Sequence, residues 1–450
     1  MSEKDVSNKI SKIAKYMGSN VLSRIKFVQN LPSFKKYRIQ TSIGYDNITN
    51  EFINKIRHCE KKDYDKITCS IRKIHSKCDY PLAFIALSKL GLAPNDIKEF
   101  VEWYTLNHHN IRMKRKVLDN KKIIDKDLDV IKDILATDEQ EKKGLIDLLY
   151  DNSFVSLDIQ HFAECHDLLC DRITFDKTNI LIYHQPTQEP NIDRLVHICE
   201  FMRKISDFDG IINIIILYTC IKKEIHELAS CITPMNVNSG STLIGGTIYI
   251  WRKEEIEKVL IHELIHYTKM DNILIGDMSM ITTLIMEMFT STFKDGATEF
   301  YTEFMAIIIH SVFVASCWMN KKPELIKSVT DSLINIEFHF NMFQVAKIIY
   351  YCGGINFANI LRPKGIITIC QTSSVVSYFI IKTYMLMNIN QILGTNEITF
   401  AKIKNVMLSL LTNDKIQKEY SPLIDENIKF IDDNIDMYDS IWTTLRMSCT

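Results

Sequence analysis

Residues Thr247 to Tyr267 read TIYIWRKEEIEKVLIHELIHY. The first five residues alternate and are rich in β-branched and aromatic side chains, the pattern of a strand. From Lys253 the apolar spacing turns helical, and a helix is predicted over 253–269. Inside it stands His262-Glu263-Leu264-Ile265-His266. Residues i and i+4 lie one turn apart on one face, so both imidazoles can reach a single ion. Glu263 is rotated by one residue and reaches a water beside the ion rather than the ion itself. Two neutral imidazoles, an open position for water and a carboxylate to take its proton suit zinc. Val259, Leu260, Ile261, Leu264 and Ile265 bury the rest of the helix and make it a rigid platform. A Glu and two His in such a helix cost free energy unless partnered, which favours a metal site over a chance match.

Upstream, the same unit continues. Asn179 to Tyr183 (NILIY) is a short β-type run. Ile192 to Ile205 is an amphipathic helix with Asn191 as its N-cap. Ile211 to Tyr218 (IINIIILY) is a continuous apolar run of strand length, as a buried central strand requires. Asn238-Ser239-Gly240 and Gly245-Gly246 flank Thr242-Leu243-Ile244 and mark turns where backbone can approach closely. The predicted order is strand, helix, strand, strand, helix.

Zinc in such a site needs a third protein ligand, and the candidates lie downstream. Asp295, Glu299 and Glu303 are spaced i, i+4, i+8 and project from one side of a helix. Glu299 is 33 residues past His266 (299 − 266), enough for a loop and a returning helix. In one register Glu299 binds the ion and Glu303 hydrogen-bonds a ligand histidine; in the other Asp295 binds and Glu299 supports. The longer Glu side chain favours the first. Glu287 is a third option.

These segments resemble the gluzincin metallopeptidases of the zincin fold over about residues 175–320. Ala-Thr-Glu-Phe-Tyr-Thr-Glu-Phe at 297–304 is similar to the third-ligand segment of lethal-factor-like enzymes, which points to Glu299. Asp295-Gly296-Ala297-Thr298-Glu299 is similar to the EGxxE segment of other gluzincins, with Asp in place of the first Glu. The resemblance implies a zinc-dependent peptidase with Glu263 as general base and a peptide or protein as substrate. It also implies an edge strand that pairs with the extended substrate, for which Thr247, Tyr249 and Trp251 are the candidates. The lethal-factor-like pattern has a Tyr shortly before the third ligand to stabilise the oxyanion. Thr292 and Phe293 stand there instead, and His339, Tyr350, Tyr351 and Tyr378 are the later candidates. That departure supports the alternative of a catalytically inactive zincin-fold protein with a binding or virion-assembly role. The Ile, Asn and Lys bias resembles that of genes of large DNA viruses.

Composition sets the frame. Lys+Arg 54 against Asp+Glu 55 gives a net charge of -1 over 450 residues, so no global basic excess exists for a nucleic-acid partner. With 46% hydrophobic and 24% charged residues the chain is globular, not disordered. Gly 14 and Pro 9 are few for the length and favour helix. The expected class is therefore α+β and mainly helical: a helical region over 1–150, a zincin-like sheet and HExxH helix over 151–275, and a helical part over 276–450 carrying the third ligand. The 12 cysteines lack CxxC spacing and read as reduced thiols. Among them Cys165 and Cys170 lie near His161 and His166, a weaker candidate for a structural metal. No signal-peptide core opens the chain, and Phe304 to Met319 reads as a buried core helix rather than a membrane span. An intracellular protein without a membrane partner is expected.

Overall fold

The computed structural model describes residues 19–39, 43–59, 68–74, 143–166, 168–225, 231–243, 246–274, 278–292, 299–319, 322–394, 398–412, 414, 416–434 and 440–450. The helical expectations for 83–90, 97–106 and most of 114–143 lie outside these residues.

Three helices open the described chain, α1 (Ser19–Asn30), a single turn at Pro32–Lys36 and α2 (Ile43–Cys59), followed by strand β1 (Thr68–Ile74). Then come α3 (Leu157–Cys165), β2 (Leu168–Phe175), β3 (Thr178–His184), α4 (Ile192–Ile205), β4 (Ile212–Leu217), β5 (Gly240–Thr242) and β6 (Ile248–Ile250). From there the chain is helical: α5 (Ile256–Tyr267), α6 (Met278–Met288), α7 (Glu299–Trp318), α8 (Ile326–Tyr351), α9 (Lys382–Met387), α10 (Phe400–Thr412) and α11 (Ser421–Asp432). The protein is mainly helical with one small mixed sheet, an α+β arrangement.

The sheet has six strands in the order β1-β2-β3-β4-β6-β5. β1, β2 and β3 are antiparallel neighbours, β3, β4 and β6 run parallel, and β5 closes the far edge antiparallel to β6. Period-two alternation sorts the side chains onto two faces. Ile180, Ile182, Ile212, Ile214, Ile216, Ile248 and Ile250 enter the main core with α4 and α5. Leu168, Cys170, Tyr183, Leu217 and Trp251 face the other way and pack on Ile159 and Phe162 of α3. β4 is thus the buried central strand that its apolar run predicts, and α4 begins on Asn191, whose side chain accepts from the Arg194 N–H at 3.2 Å.

One expectation is corrected here. Thr247, Tyr249 and Trp251 do not lie on an edge: Ile248–Ile250 pairs with β4 on one side and β5 on the other, and Trp251 is buried. The chain turns back after β5, so the strand later in sequence is inserted between β4 and β5. Among the described residues, the outer edge of the sheet beside α5 belongs to Gly240–Thr242.

α7 is the central helix, with residues 300–316 all buried. It is the one helix among the described residues long and apolar enough to cross a membrane, and 94% of its apolar window is buried inside the protein. That matches the core-helix reading of Phe304 to Met319. α1 and α2 share this core: Phe27 stacks edge-on against Phe343 of α8 at 4.9 Å, and the Tyr45 hydroxyl donates to Asp331 at 3.0 Å.

Candidate metal centre

Helix α5 packs between the sheet edge and α7, and this brings the two halves of the site together. His262 Nε2 and His266 Nε2 stand 3.2 Å apart. Glu299 Oε2, from the first turn of α7, lies 3.4 Å from the former and 3.5 Å from the latter. Tetrahedral ligands held about 2.0–2.1 Å from an ion are about 3.3–3.4 Å from one another, so this triangle has the dimensions of three corners around one cation.

The remaining ring nitrogens fix the tautomers. His262 Nδ1 is 2.7 Å from Glu303 Oε1, and His266 Nδ1 is 2.7 Å from Asp271 Oδ2. At His266 the Asp271 carboxylate takes the Nδ1–H and leaves the Nε2 lone pair turned into the triangle; at His262 the Glu303 carboxylate stands against Nδ1 as a close charged contact. Glu299 Oε2 is buried with no hydrogen-bond partner. Two lone pairs and an orphaned carboxylate oxygen facing one another need a cation or a shared proton. Without an ion a proton fills that role. Burial alone would lower His266, yet Asp271 and Glu299 lift it to about 11. Burial alone would raise Glu299, yet the close approach and charge of His262 and His266 hold it well below the usual carboxylate range. The donor set therefore fits a divalent metal ion.

Glu303 lies one turn further along α7, wholly buried. Lys258 of α5 contacts it, as does Lys382 of α9 at 3.3 Å. Burial would raise this carboxyl, but the two ammonium groups and His262 hold it well below its ordinary value. The same burial pulls Lys382 down to about 8. Glu303 thus remains an anion able to hold the His262 ring.

Glu263 faces the cleft beside the triangle. The Thr242 hydroxyl on edge strand β5 donates to its Oε2 at 2.6 Å. Burial raises Glu263, and the charges of His262 and His266 with the Thr242 bond draw it partly back. Gly240 is required here: a Cβ would stand 2.8 Å from Glu263 Oε1 and 3.0 Å from Val259 Cγ1. The turn glycine lets β5 approach α5, not a ligand. A cleft of about 690 Å³ opens over these groups, bounded also by Phe154, Asn238, Ser373 and Tyr378.

His262, Glu263, His266, Glu299 and Glu303 therefore converge. Asp295 lies outside the described residues. His262, His266 and Glu299 are the one group among the described residues with three metal-ligating atoms this close, so Glu287 is not part of it. Of the four oxyanion candidates, only Tyr378 borders the cleft, its ring centroid 6.3 Å from that of His262. His339 bonds Ser33 and Tyr37, the Tyr350 hydroxyl donates to Asp432, and Tyr351 packs edge-on against Tyr350. His161 and Cys165 touch at 3.4 Å, but the His166 ring turns to the Phe162 carbonyl and Cys170 is buried in β2. Asp271, Lys258, Lys382 and Thr242 were not signalled by the sequence. Asp271 follows His266 by five residues in a 3₁₀ turn, a spacing that no helical or strand period marks.

No protein-family model, curated protein or solved structure matches this chain.

Proposed function

We propose that the protein is a zinc-dependent peptidase whose general base is Glu263. The observation that carries the reading is the His262–His266–Glu299 triangle opening onto the same cleft as a buried carboxylate held by the sheet's edge strand. His/His/Glu ligation with an open position is a catalytic donor set for zinc, whereas structural zinc closes all four positions with Cys and His. A bound zinc ion supplies Lewis acidity toward water and toward the carbonyl oxygen of a substrate.

The chain's own groups supply the rest. Glu263, raised by burial, accepts a proton from water and returns it to the leaving amine. The Thr242 hydroxyl orients that carboxylate. Edge strand β5 offers backbone to an extended peptide, so the substrate-pairing role assigned to Thr247, Tyr249 and Trp251 passes to Gly240–Thr242. Tyr378 is the phenol placed to donate toward a developing oxyanion.

The test is Glu263→Gln. This variant should retain stoichiometric zinc by atomic absorption and lose cleavage of a peptide library. Full cleavage by the variant, or wild-type protein that binds zinc and cleaves nothing, would end the proposal; the latter favours the inactive binding or assembly role.

A further inference from the structure

Three cysteines that the metal centre does not use meet on the surface beside the cleft. Cys231 leads toward β5, Cys352 caps the C-terminus of α8, and Cys370 leads toward Tyr378; all three are partly exposed. The first and third lie on neighbouring extended segments. Ile232 and Gln371 form a parallel bridge, with Ile232 N–H donating to the Cys370 carbonyl at 2.8 Å and Thr372 N–H to the Ile232 carbonyl at 2.9 Å. Cys231 and Cys370 each precede a bridged residue, so they form the next pair in register and project from the same face. Paired strands run about 4.7–4.9 Å apart. A disulfide spans Cα atoms about 4.4–6.8 Å apart, so no backbone movement is needed. The Cys231 thiol hydrogen-bonds the Cys370 sulfur, and burial with that bond pushes Cys231 up to about 11.

We propose that Cys231 and Cys370 form a reversible disulfide that staples the wall of the cleft. On one side the 367–372 segment also pairs with 290–292, through Ile369 N–H to the Thr290 carbonyl at 2.8 Å and Thr292 N–H to the Ile369 carbonyl at 3.2 Å. The three segments lead into the elements that carry Glu299, Tyr378 and the edge strand. The two cysteine segments meet again at the cleft, where the Ser373 hydroxyl donates to Asn238 Oδ1 at 3.3 Å. The oxidant is a low-molecular-weight disulfide. The thiolate of one cysteine of the pair displaces one of its sulfurs, giving a mixed disulfide and one small thiol. The other cysteine, its proton passed to solvent, attacks the protein sulfur of the mixed disulfide, displaces the second small thiol and leaves the Cys231–Cys370 bond. Two protein thiols are oxidised and one small disulfide is reduced to two thiols. The inference is independent of the peptidase reading.

Tryptic mapping separates the three thiols, because Cys231, Cys352 and Cys370 fall in peptides 224–252, 348–364 and 365–382. The native full-length protein is equilibrated with oxidised glutathione, alkylated and digested without reductant. The expected product is 224–252 joined to 365–382, lost on adding dithiothreitol, retained in Cys352→Ser and absent in Cys231→Ser. The thermal midpoint should rise by several degrees on oxidation of wild type and not of Cys231→Ser. Full alkylation of both cysteines, or linkage of either to Cys352, would overturn the pairing. A linkage that leaves the midpoint unchanged would overturn the staple.

Discussion

Two carboxylates orient the ligand histidines, and they sit in different surroundings. Asp271 is held in a turn near the cleft mouth, while Glu303 is enclosed with Lys258 and Lys382. Their removal should therefore have different consequences. Asp271→Asn keeps the shape and loses the anion that holds His266 Nδ1–H. On the proposed zinc reading, affinity for added zinc should fall about 10–100-fold with little change in stability, measured by chelator competition and urea unfolding. Glu303→Gln also frees the His262 ring, but it strands two buried ammonium groups. Loss of one partner from such a cluster costs about 3–5 kcal/mol, so this variant should unfold at markedly lower urea even without metal. Equal stability of the two variants would contradict the enclosure of Glu303. The sequence made Glu303 legible because i, i+4 spacing from Glu299 fixes it to the same helical face. The lysines that neutralise it come from α5 and α9, and no local pattern links them.

At the scale of elements, legibility followed periodicity. The run at 211–218 and the helix at 192–205 are strong local patterns, and both formed where predicted. β2 was missed because Asp171 and Arg172 interrupt its apolar pattern. Asp171 is buried and meets His184 of β3 at 3.2 Å, a partner that only the folded sheet supplies. The edge was misassigned for a different reason: sequence order places β6 next to α5, while hydrogen bonding places β5 outside it. That correction gives β5 two duties, free backbone and the hydroxyl on Glu263. Thr242→Val keeps the strand's shape and removes the hydroxyl. A hydrogen bond to a charged group contributes about 1.5–3 kcal/mol, so on the proposed peptidase reading peptide cleavage should fall roughly 10–100-fold. Because that bond lowers the Glu263 carboxyl, the acidic limb of kcat/KM should also move to higher pH. An unmoved limb would show that Thr242 does not act on the base.

Across the whole molecule, two buried histidines couple the N-terminal helices and α7 to acid stability. His339 of α8 donates from Nε2 to the Tyr37 carbonyl at 3.0 Å, since a carbonyl can only accept, and its Nδ1 meets the Ser33 hydroxyl at 3.2 Å. Burial pushes it down to about 3. His197 of α4, edge-on to Phe313 of α7 at 5.2 Å, is pushed down to about 4 by burial and by Arg194 and Lys204. Both rings are neutral in the fold at pH 5, whereas an unfolded histidine protonates near 6.5. Between these values the unfolded chain binds more protons, so stability falls as pH falls, starting near 6.5 and levelling below about 3 to 4. Each group contributes at most about 1.4 kcal/mol per pH unit in that window. The depressed carboxylates Glu299 and Glu303 add their loss only below about 4.5, and His184, His262 and His266, all raised, are protonated in both states of the metal-free protein below 6.5. Glu263, raised by burial, takes up its proton inside the fold and opposes this fall, so the interval from 6.5 to 4.5 isolates the two buried rings in a Glu263→Gln background. Urea midpoints of that metal-free variant should drop steadily across the interval, and adding His339→Gln should flatten the slope by about half whatever its starting stability. A midpoint of the Glu263→Gln protein constant from pH 6.5 to 4.5 would mean that these rings take up their protons inside the fold.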